Sequence, residues 1–274
     1  MPFKIVSRLD ASQMKAAPEH QITANDFEDG WSNFEARFSL DHPVRTLHCD
    51  PMMVTWDGPN SLTALVSVID QEEHAMVAVY HGLRGDTIVH GFRAIHMLNN
   101  TISKSLWDED SLPSHELLYG GSLKEIKKED NWGELQMNYF DRVRVLRAGR
   151  LNVTPDMLIA AHDPKAVTFP WKSELKVMYV QNKNLLANDE LFKLVITNYS
   201  MYHREYPGVD RGYNGPNGFR HSVCFHTQRS YDEGSTWRDM LDEGSHTLPY
   251  QYRGTDLGHL CPPRCKRIDE AGRA

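Results

Sequence analysis

Four arginines stand close together in the middle of the chain: Arg142, Arg144, Arg147 and Arg150. In the run 142–145, RVRV, charged and apolar residues alternate with a period of two. A β-strand with that period puts its two arginines on one face and its two valines in the core. The spacing therefore predicts a strand that lifts a row of guanidinium groups into water.

Basic and aromatic side chains alternate again further along the chain, in the segment 199–231. Arginines suit phosphate groups and aromatic rings suit stacked bases, so the combination is typical of proteins that bind single-stranded nucleic acid. The alternative is a solvated face paired with the acidic segment 108–134. The arginines assigned to nucleic acid here are Arg204 and Arg220, and the aromatic residues are Tyr199, Tyr202, Tyr206, Tyr213, Phe219, Phe225 and Tyr231.

A metal site is the alternative chemistry. His48 and Asp50 form a His-x-Asp unit, and His96 follows downstream. Two imidazoles and one carboxylate on one face of non-haem iron leave positions open for oxygen and a cosubstrate. The arrangement resembles the iron- and 2-oxoglutarate-dependent dioxygenases, which implies Fe(II) and 2-oxoglutarate as cofactors, with Lys104 pairing with the 2-oxoacid carboxylate. The leading interpretation requires no cofactor.

A second metal hypothesis concerns His259, Cys261 and Cys265, joined by Cys224 or His226, as ligands of structural zinc. Unrelated thiols explain the same residues. Four cysteines are too few for a disulfide framework in a chain of this length, and we expect a reducing compartment, cytoplasmic or nuclear, without secretion. The role of Cys261 and Cys265 stays open.

Composition limits the classes of protein. The chain has 274 residues and a formal net charge of −7, which is unlike a strongly basic nucleic-acid binder. No apolar run reaches the roughly 20 residues that span a bilayer, so no transmembrane segment is expected. Fourteen histidines raise the prospect of a metal site without locating it.

The elements that must position these residues are mostly short runs of β-branched and aromatic residues, cut by Gly, Pro, Asn and Asp. This pattern predicts a mainly β fold, a β-sandwich or jelly-roll-like core with a few short peripheral helices. The predicted strands are Phe3–Ser7, Ala36–Leu40, Val44–His48, Met52–Trp56, Leu62–Ile69, Met76–His81, Thr87–Phe92, Leu135–Tyr139, Val143–Arg147, Leu175–Val180 and Ser222–Thr227.

Helices are predicted over Thr154–Ala161 and Thr236–Asp242, with patchy helix over Ser114–Lys128 and a helical start to 189–203. One β-rich domain is expected over 1–235, with the acidic insertion at about 108–134. A polar C-terminal tail is expected over 236–274, mobile or loosely docked.

Three segments within 60–160 carry a family resemblance. An apolar strand runs from Leu62 to Asp70, an aromatic strand with an Asn-containing turn covers Phe92–Asn100, and a strand ending at Gly149 precedes Pro155 and an apolar run. This order resembles the thirty-kilodalton movement-protein superfamily of plant viruses. The resemblance implies a β-rich core that binds single-stranded nucleic acid without sequence preference, with Asp70 and Gly149 structural.

The sequence thus predicts a non-enzymatic viral nucleic-acid-binding and assembly protein of the movement-protein type, which self-associates and works in the host cytoplasm. The iron-dependent oxygenase is the first alternative. A viral matrix or coat protein, which would share the all-β pattern, is the further alternative.

Overall fold

A computed structural model of the chain provides the fold. It describes residues 24–37, 52–67, 75–98, 101–102, 112–118, 121–152, 154–155, 166–171, 175–176, 178–179, 191–202, 219–230, 232–239, 254–255 and 259–261.

Two antiparallel sheets form the centre of the molecule. The first, the five-stranded sheet, has the order β1-β8-β9-β10 with β11 added to β9, and the second, the seven-stranded sheet, has the order β12-β7-β2-β3-β5-β6 with β4 added to β3. The strands are β1 Met52–Val54, β2 Ala75–Arg84, β3 Thr87–Leu98, β4 Thr101–Ile102, β5 His115–Leu117, β6 Leu123–Glu125, β7 Ala166–Pro170, β8 Leu191–Tyr202, β9 Phe219–Ser230, β10 Arg238–Asp239, β11 Gly254–Thr255 and β12 His259–Cys261.

The sheets face each other across an apolar core. Alternate residues of β2, such as Val77 and Val79, lie in the same buried cluster as Ile196 of β8. The rings of Phe169 in β7 and Phe225 in β9 meet edge to face, with centroids 4.6 Å apart. Side chains of alternate residues interdigitate in this way in β-sandwiches. The predicted mainly β fold is confirmed.

Helices cover the outer faces of both sheets. In the first layer Gly30 lies against the ring of Tyr199 in β8, and in the second Trp132 and Leu135 pack beneath Tyr80 of β2. The helices are α1 Ala24–Arg37, α2 Leu62–Val66, α3 Trp132–Asn138 and α4 Val145–Leu151, with a 3-10 turn over Lys128–Asp130 and a π-helical turn over Tyr139–Arg144.

Two glycines admit the indole of Trp132. A Cβ at Gly82 would come within 2.9 Å of the ring, and a Cβ at Gly91 within 2.9 Å of the ring and 2.5 Å of Pro113. Since real Cβ atoms do not approach so closely, these positions on β2 and β3 require glycine. Trp132 is thereby fully enclosed between α3 and the seven-stranded sheet.

Four predicted strands are confirmed with shifted ends, namely Met52–Trp56 in β1, Met76–His81 in β2, Thr87–Phe92 in β3 and Ser222–Thr227 in β9. Five are wrong where the structure describes them, because those residues are helical: Ala36–Leu40, Leu62–Ile69, Leu135–Tyr139, Val143–Arg147 and Leu175–Val180. The hydroxyl oxygen of Ser61, which accepts a hydrogen bond from the Ala64 amide, shows why one of these begins a helix. Phe3–Ser7 and Val44–His48 lie outside the described residues.

The predicted helices fare differently. The segment 191–202, expected to begin as helix, is the long strand β8, and Thr236–Asp242 contains β10. Ser114–Lys128, expected to be patchily helical, contains the strands β5 and β6. Of Thr154–Ala161, the structure describes only the first two residues.

The acidic segment and the C-terminal region contribute to the sheets. Within 108–134, Glu116 and Leu123 are buried on β5 and β6. In the C-terminal region, β11 pairs with β9 and β12 pairs with β7. Short strands from both regions therefore complete the sandwich.

Candidate functional site

The predicted arginine row lies in helix. Residues 139–144 form the π-helical turn and residues 145–151 form α4. The strand prediction for Val143–Arg147 is wrong because the alternating run follows directly on α3, whose Leu, Glu, Gln and Met residues are good helix formers. In a helix, residues two apart point in different directions, so Arg142 and Arg144 do not share a face.

The helix gives the three described arginines different environments. Arg142 is exposed, and Arg144 is buried with its guanidinium carbon 3.6 Å from the centroid of the Phe140 ring. Arg147 is completely buried. A phosphate in solvent can meet only Arg142 among them in this conformation.

The other assigned arginines cannot be placed in the same way. Arg150 belongs to α4 and Arg220 to β9, and the side chains of both lie outside what the structure describes, as does all of Arg204. Of the aromatic residues, Tyr199 packs against Phe27 of α1, with ring centroids 6.5 Å apart, and Phe225 lies in the core. Tyr199 and Phe225 are therefore structural residues rather than exposed stacking surfaces.

Three histidines meet inside the sandwich. His81 of β2 and His90 of β3 are register partners, with their Nδ1 atoms 3.2 Å apart. The ring of His81 also stacks on the ring of His221 from β9, at 4.6 Å between centroids. All three are buried. The histidines thus connect the two sheets through direct ring contacts.

Tyr139 and Arg147 join the histidines from the helical segment. Nη1 of Arg147 donates a 2.6 Å hydrogen bond to the Tyr139 hydroxyl and lies 3.3 Å from Nδ1 of His221. Nε2 of His221 lies 3.2 Å from Oδ1 of Asn198 in β8. We name the set His81, His90, His221, Tyr139 and Arg147 the histidine–arginine cluster.

Electrostatics keep at least part of this cluster neutral. Burial, together with the nearby positive charges at His221 and Arg147, lowers the pKa of His90 to about 3. Desolvation and a like charge both penalise a second cation in the interior. His90 is accordingly a neutral imidazole at physiological pH.

The cluster is a closed, structural arrangement in this conformation. Ring centroids 4.6 Å apart correspond to direct contact, so no ligand atom fits between His81 and His221. Within the ranges that the structure describes, no group of three or more His, Cys, Asp or Glu side chains has the spacing to hold a metal ion. Its chemistry is that of proton uptake and hydrogen bonding.

A second polar group lies at the surface, at the turn between β2 and β3. Arg142 donates hydrogen bonds to the Gly85 carbonyl at 2.9 Å and to the Asp86 carboxylate at 2.6 Å. Arg84, the last residue of β2, forms a 2.6 Å ion pair with Glu116. We name Arg84, Gly85, Asp86 and Arg142 the hairpin tip.

The candidate iron ligands lie largely outside the part of the chain that the structure describes. His96 lies on β3 opposite Ala75, and its side chain lies outside what the structure describes. His48, Asp50 and Lys104 are also outside the described residues. The triad stays a prediction.

The candidate zinc ligands lie on strands of different sheets. His259 and Cys261 belong to β12 at the edge of the seven-stranded sheet, whereas Cys224 and His226 belong to β9 of the five-stranded sheet. His226 packs against Phe27 of α1 on the outer face, and its Nε2 lies 2.9 Å from the Thr197 hydroxyl. Cys265 is outside the described residues.

Sequence reasoning missed the histidine–arginine cluster, although a signal was present. His81 continues the period of two of Val77 and Val79, and His221 stands in the same relation to Val223 and Phe225. That period places both histidines on the core faces of their strands. Their proximity across the sandwich depends on the packing of the sheets, which no local pattern encodes.

Comparison with known proteins adds no relative. No family model, curated protein or solved structure matches this chain. Two of the three segments behind the movement-protein resemblance are helical where described, over 62–66 and 143–151, and the resemblance stays a prediction. Among the described helices, none is long and apolar enough to cross a membrane.

Proposed function

We propose that this chain is a non-enzymatic protein that binds single-stranded nucleic acid without sequence preference and assembles on it. The observation that carries the proposal is the hairpin tip, where the side chains of Arg84 and Arg142 are 49% and 43% exposed. Arg142 is able to reach phosphate oxygens without a change in the core, and Arg84 offers the N–H groups that its ion pair with the buried Glu116 does not use. Within this class, the movement-protein type is the one that the sequence predicts.

The interior polar groups favour a protein that acts through its surface. The buried histidines, Tyr139 and Arg147 are engaged with one another between the sheets, where a polymer has no access to them. A catalytic group must reach its substrate. We therefore assign these buried titratable groups a structural role.

Phosphate binding at the hairpin tip is an exchange of anions. Arg142 now holds the carboxylate of Asp86, whose side chain is 65% exposed. An exposed ion pair of this kind contributes only about 0–1 kcal/mol, so a phosphate displaces the carboxylate at little cost. Once the carboxylate has been displaced, the guanidinium group can donate two parallel hydrogen bonds to the phosphate.

The test measures binding of a fluorescently labelled oligothymidylate by anisotropy across a series of salt concentrations. Affinity should fall steeply with salt, because each neutralised phosphate of a single strand contributes about −0.7 to the slope of log K against log salt concentration. The double variant Arg84→Ala/Arg142→Ala should weaken binding and reduce the slope by about 1.4. Asp86→Asn, which removes the competing carboxylate, should tighten binding.

Arg238→Ala is the matched control, since Arg238 is also exposed but lies on β10 of the other sheet. It should bind like the wild type. Salt-independent binding, or a double variant that binds like the wild type, would remove the hairpin tip as the interface. Self-association without any oligonucleotide affinity in sedimentation experiments would instead favour a matrix or coat protein, which the all-β pattern of the sequence also fits.

A further inference from the structure

We propose that the histidine–arginine cluster is an acid-sensitive latch, which holds the helical segment 139–151 against the sandwich at neutral pH and releases it as the histidines take up protons. The latch does not rest on the proposed nucleic-acid ligand, because its contacts lie in the interior; the segment that it holds also carries Arg142 of the hairpin tip.

The geometry makes one contact site serve three parts of the fold. His221 stacks on His81 of the opposite sheet, donates from Nε2 to Oδ1 of Asn198 and lies 3.3 Å from Nη1 of Arg147 in the helical segment. Tyr139, from the same segment, stacks on His81 at 5.5 Å between centroids. The helical segment therefore contacts the two histidines at two points, through Tyr139 on His81 and through Arg147 on His221.

Protonation would place positive charges in contact inside this site. A second proton on the ring of His221 turns Nδ1 into a donor that faces the guanidinium of Arg147, so a hydrogen bond is lost and two cations adjoin. Proton uptake at His90 likewise adds a buried positive charge near Arg147, which disfavours the closed state. Like charges in a low-dielectric interior repel far more strongly than in water.

The charged groups around the cluster follow from the side chains that the structure describes. Among those, the acids Glu28, Asp29 and Glu35 of α1 are exposed, as are Asp141 of the π-helical turn and Asp86 of the β2–β3 turn. The side chains turned inward are His81 from β2, His90 from β3, Tyr139, Arg144 and Arg147 from the helical segment, His221 from β9, Asn198 from β8 and Phe34 from α1.

Linkage fixes the size of the response. The pKa of His90 is about 3 in the closed state and 6.5 when exposed, so opening is coupled to proton uptake between those values. From about pH 7.5 to about pH 5.5, this single histidine raises the opening equilibrium of the segment about tenfold.

Hydrogen–deuterium exchange of the full chain at those two pH values tests the latch. After correction for intrinsic exchange, protection of 139–151 should fall at least about tenfold at the lower pH, while the central pairs of β2 and β3 stay protected. In His90→Gln the response should shrink by about tenfold. Equal protection of 139–151 at both pH values overturns the latch, and so does a His90→Gln variant with the wild-type response.

His115→Gln is the matched control. His115 lies on β5, where burial also lowers its pKa, but opening of 139–151 does not expose it. Its variant should keep the wild-type response, and a reduced response would indicate general acid unfolding and overturn the latch. If His90→Gln fails to fold, an NMR titration of the wild type decides. Histidine signals that titrate together with the loss of protection support the latch, whereas titration near 6.5 in a fully protected protein excludes it.

Discussion

Arg142 and Arg147 stand five positions apart on one helical segment and have opposite environments. Arg142 lies in solvent, where it holds Asp86 and a turn carbonyl. Arg147 is completely buried, where it donates to Tyr139 and contacts His221. The same side chain is replaceable at the surface and architectural in the core. The number of arginines in a segment therefore does not give the number of positive charges that a ligand can reach.

Replacing the buried member should have the largest effect. Arg147→Met keeps much of the side-chain volume but removes the donor that Tyr139 and His221 share. A hydrogen bond to a charged group is worth about 1.5–3 kcal/mol and Arg147 takes part in both contacts, so we expect a loss of about 3 kcal/mol or more. Urea unfolding followed by circular dichroism measures it. A loss below about 1 kcal/mol would show that Arg147 and Arg142 do not differ as the structure implies.

Two helical glycines test the same contrast between core and surface without changing charge. A Cβ at Gly30 would lie 1.8 Å from the Tyr199 ring, whereas one at Gly149 of α4 meets nothing within 4 Å. Gly30→Ala should cost about 2 kcal/mol through overpacking, and Gly149→Ala should gain about 0.5–1 kcal/mol from helix propensity. Thermal unfolding of the pair checks both signs. The same sign in both variants would contradict the seating of α1 on β8.

Acidification should weaken the interior contacts, including those that hold the helical segment. The pKa of His90 is depressed on folding, from 6.5 to about 3, so the unfolded state binds the extra proton first. The stability contribution is complete above 6.5 and declines as the pH falls toward 3, by about 1.4 kcal/mol at about pH 5.5. Urea titrations over this range measure the slope. His90→Phe should flatten it, and an unchanged slope would show that another group is responsible.

The smallest stability effect belongs to the exposed member of the comparison. Arg142→Ala removes a surface ion pair and a hydrogen bond to a turn, so it should change the free energy of unfolding by less than about 1 kcal/mol. Urea unfolding beside Arg147→Met gives the direct comparison. A loss as large as that of Arg147→Met would mean that the hairpin tip also carries the fold.

Local pattern was sufficient for the fold class and for the strands with strong period-two alternation. β2, β3 and β9 place β-branched and aromatic residues at alternate positions of their buried faces, and pairing within the sheets favours the same strand conformation as these propensities. The alternation of Arg and Val at 142–145 satisfied the same rule and still became helix. Its neighbours in α3 are helix formers, and the inward side of the segment contacts the end of the sandwich through Tyr139 and Val143.

The candidate site was less accessible to sequence reasoning. His81 and His90 are close in sequence and a hairpin pairs them, so their contact is local. His221 comes from the other sheet, and Arg147 comes from a helical segment whose π-helical turn shifts the side of the helix that faces inward. Both contacts depend on how elements that are distant in sequence pack together, and no local sequence pattern specifies that packing.

The short strand β12 covers the free edge of β7, opposite the side on which β7 pairs with β2. Without His259–Cys261, β7 would present a row of unpaired amides and carbonyls to any extended peptide. A shortened chain ending before β12 should therefore recruit a foreign strand or another copy of itself at that border. The pairing of His259–Cys261 with β7 should therefore reduce strand-mediated association between copies of the chain.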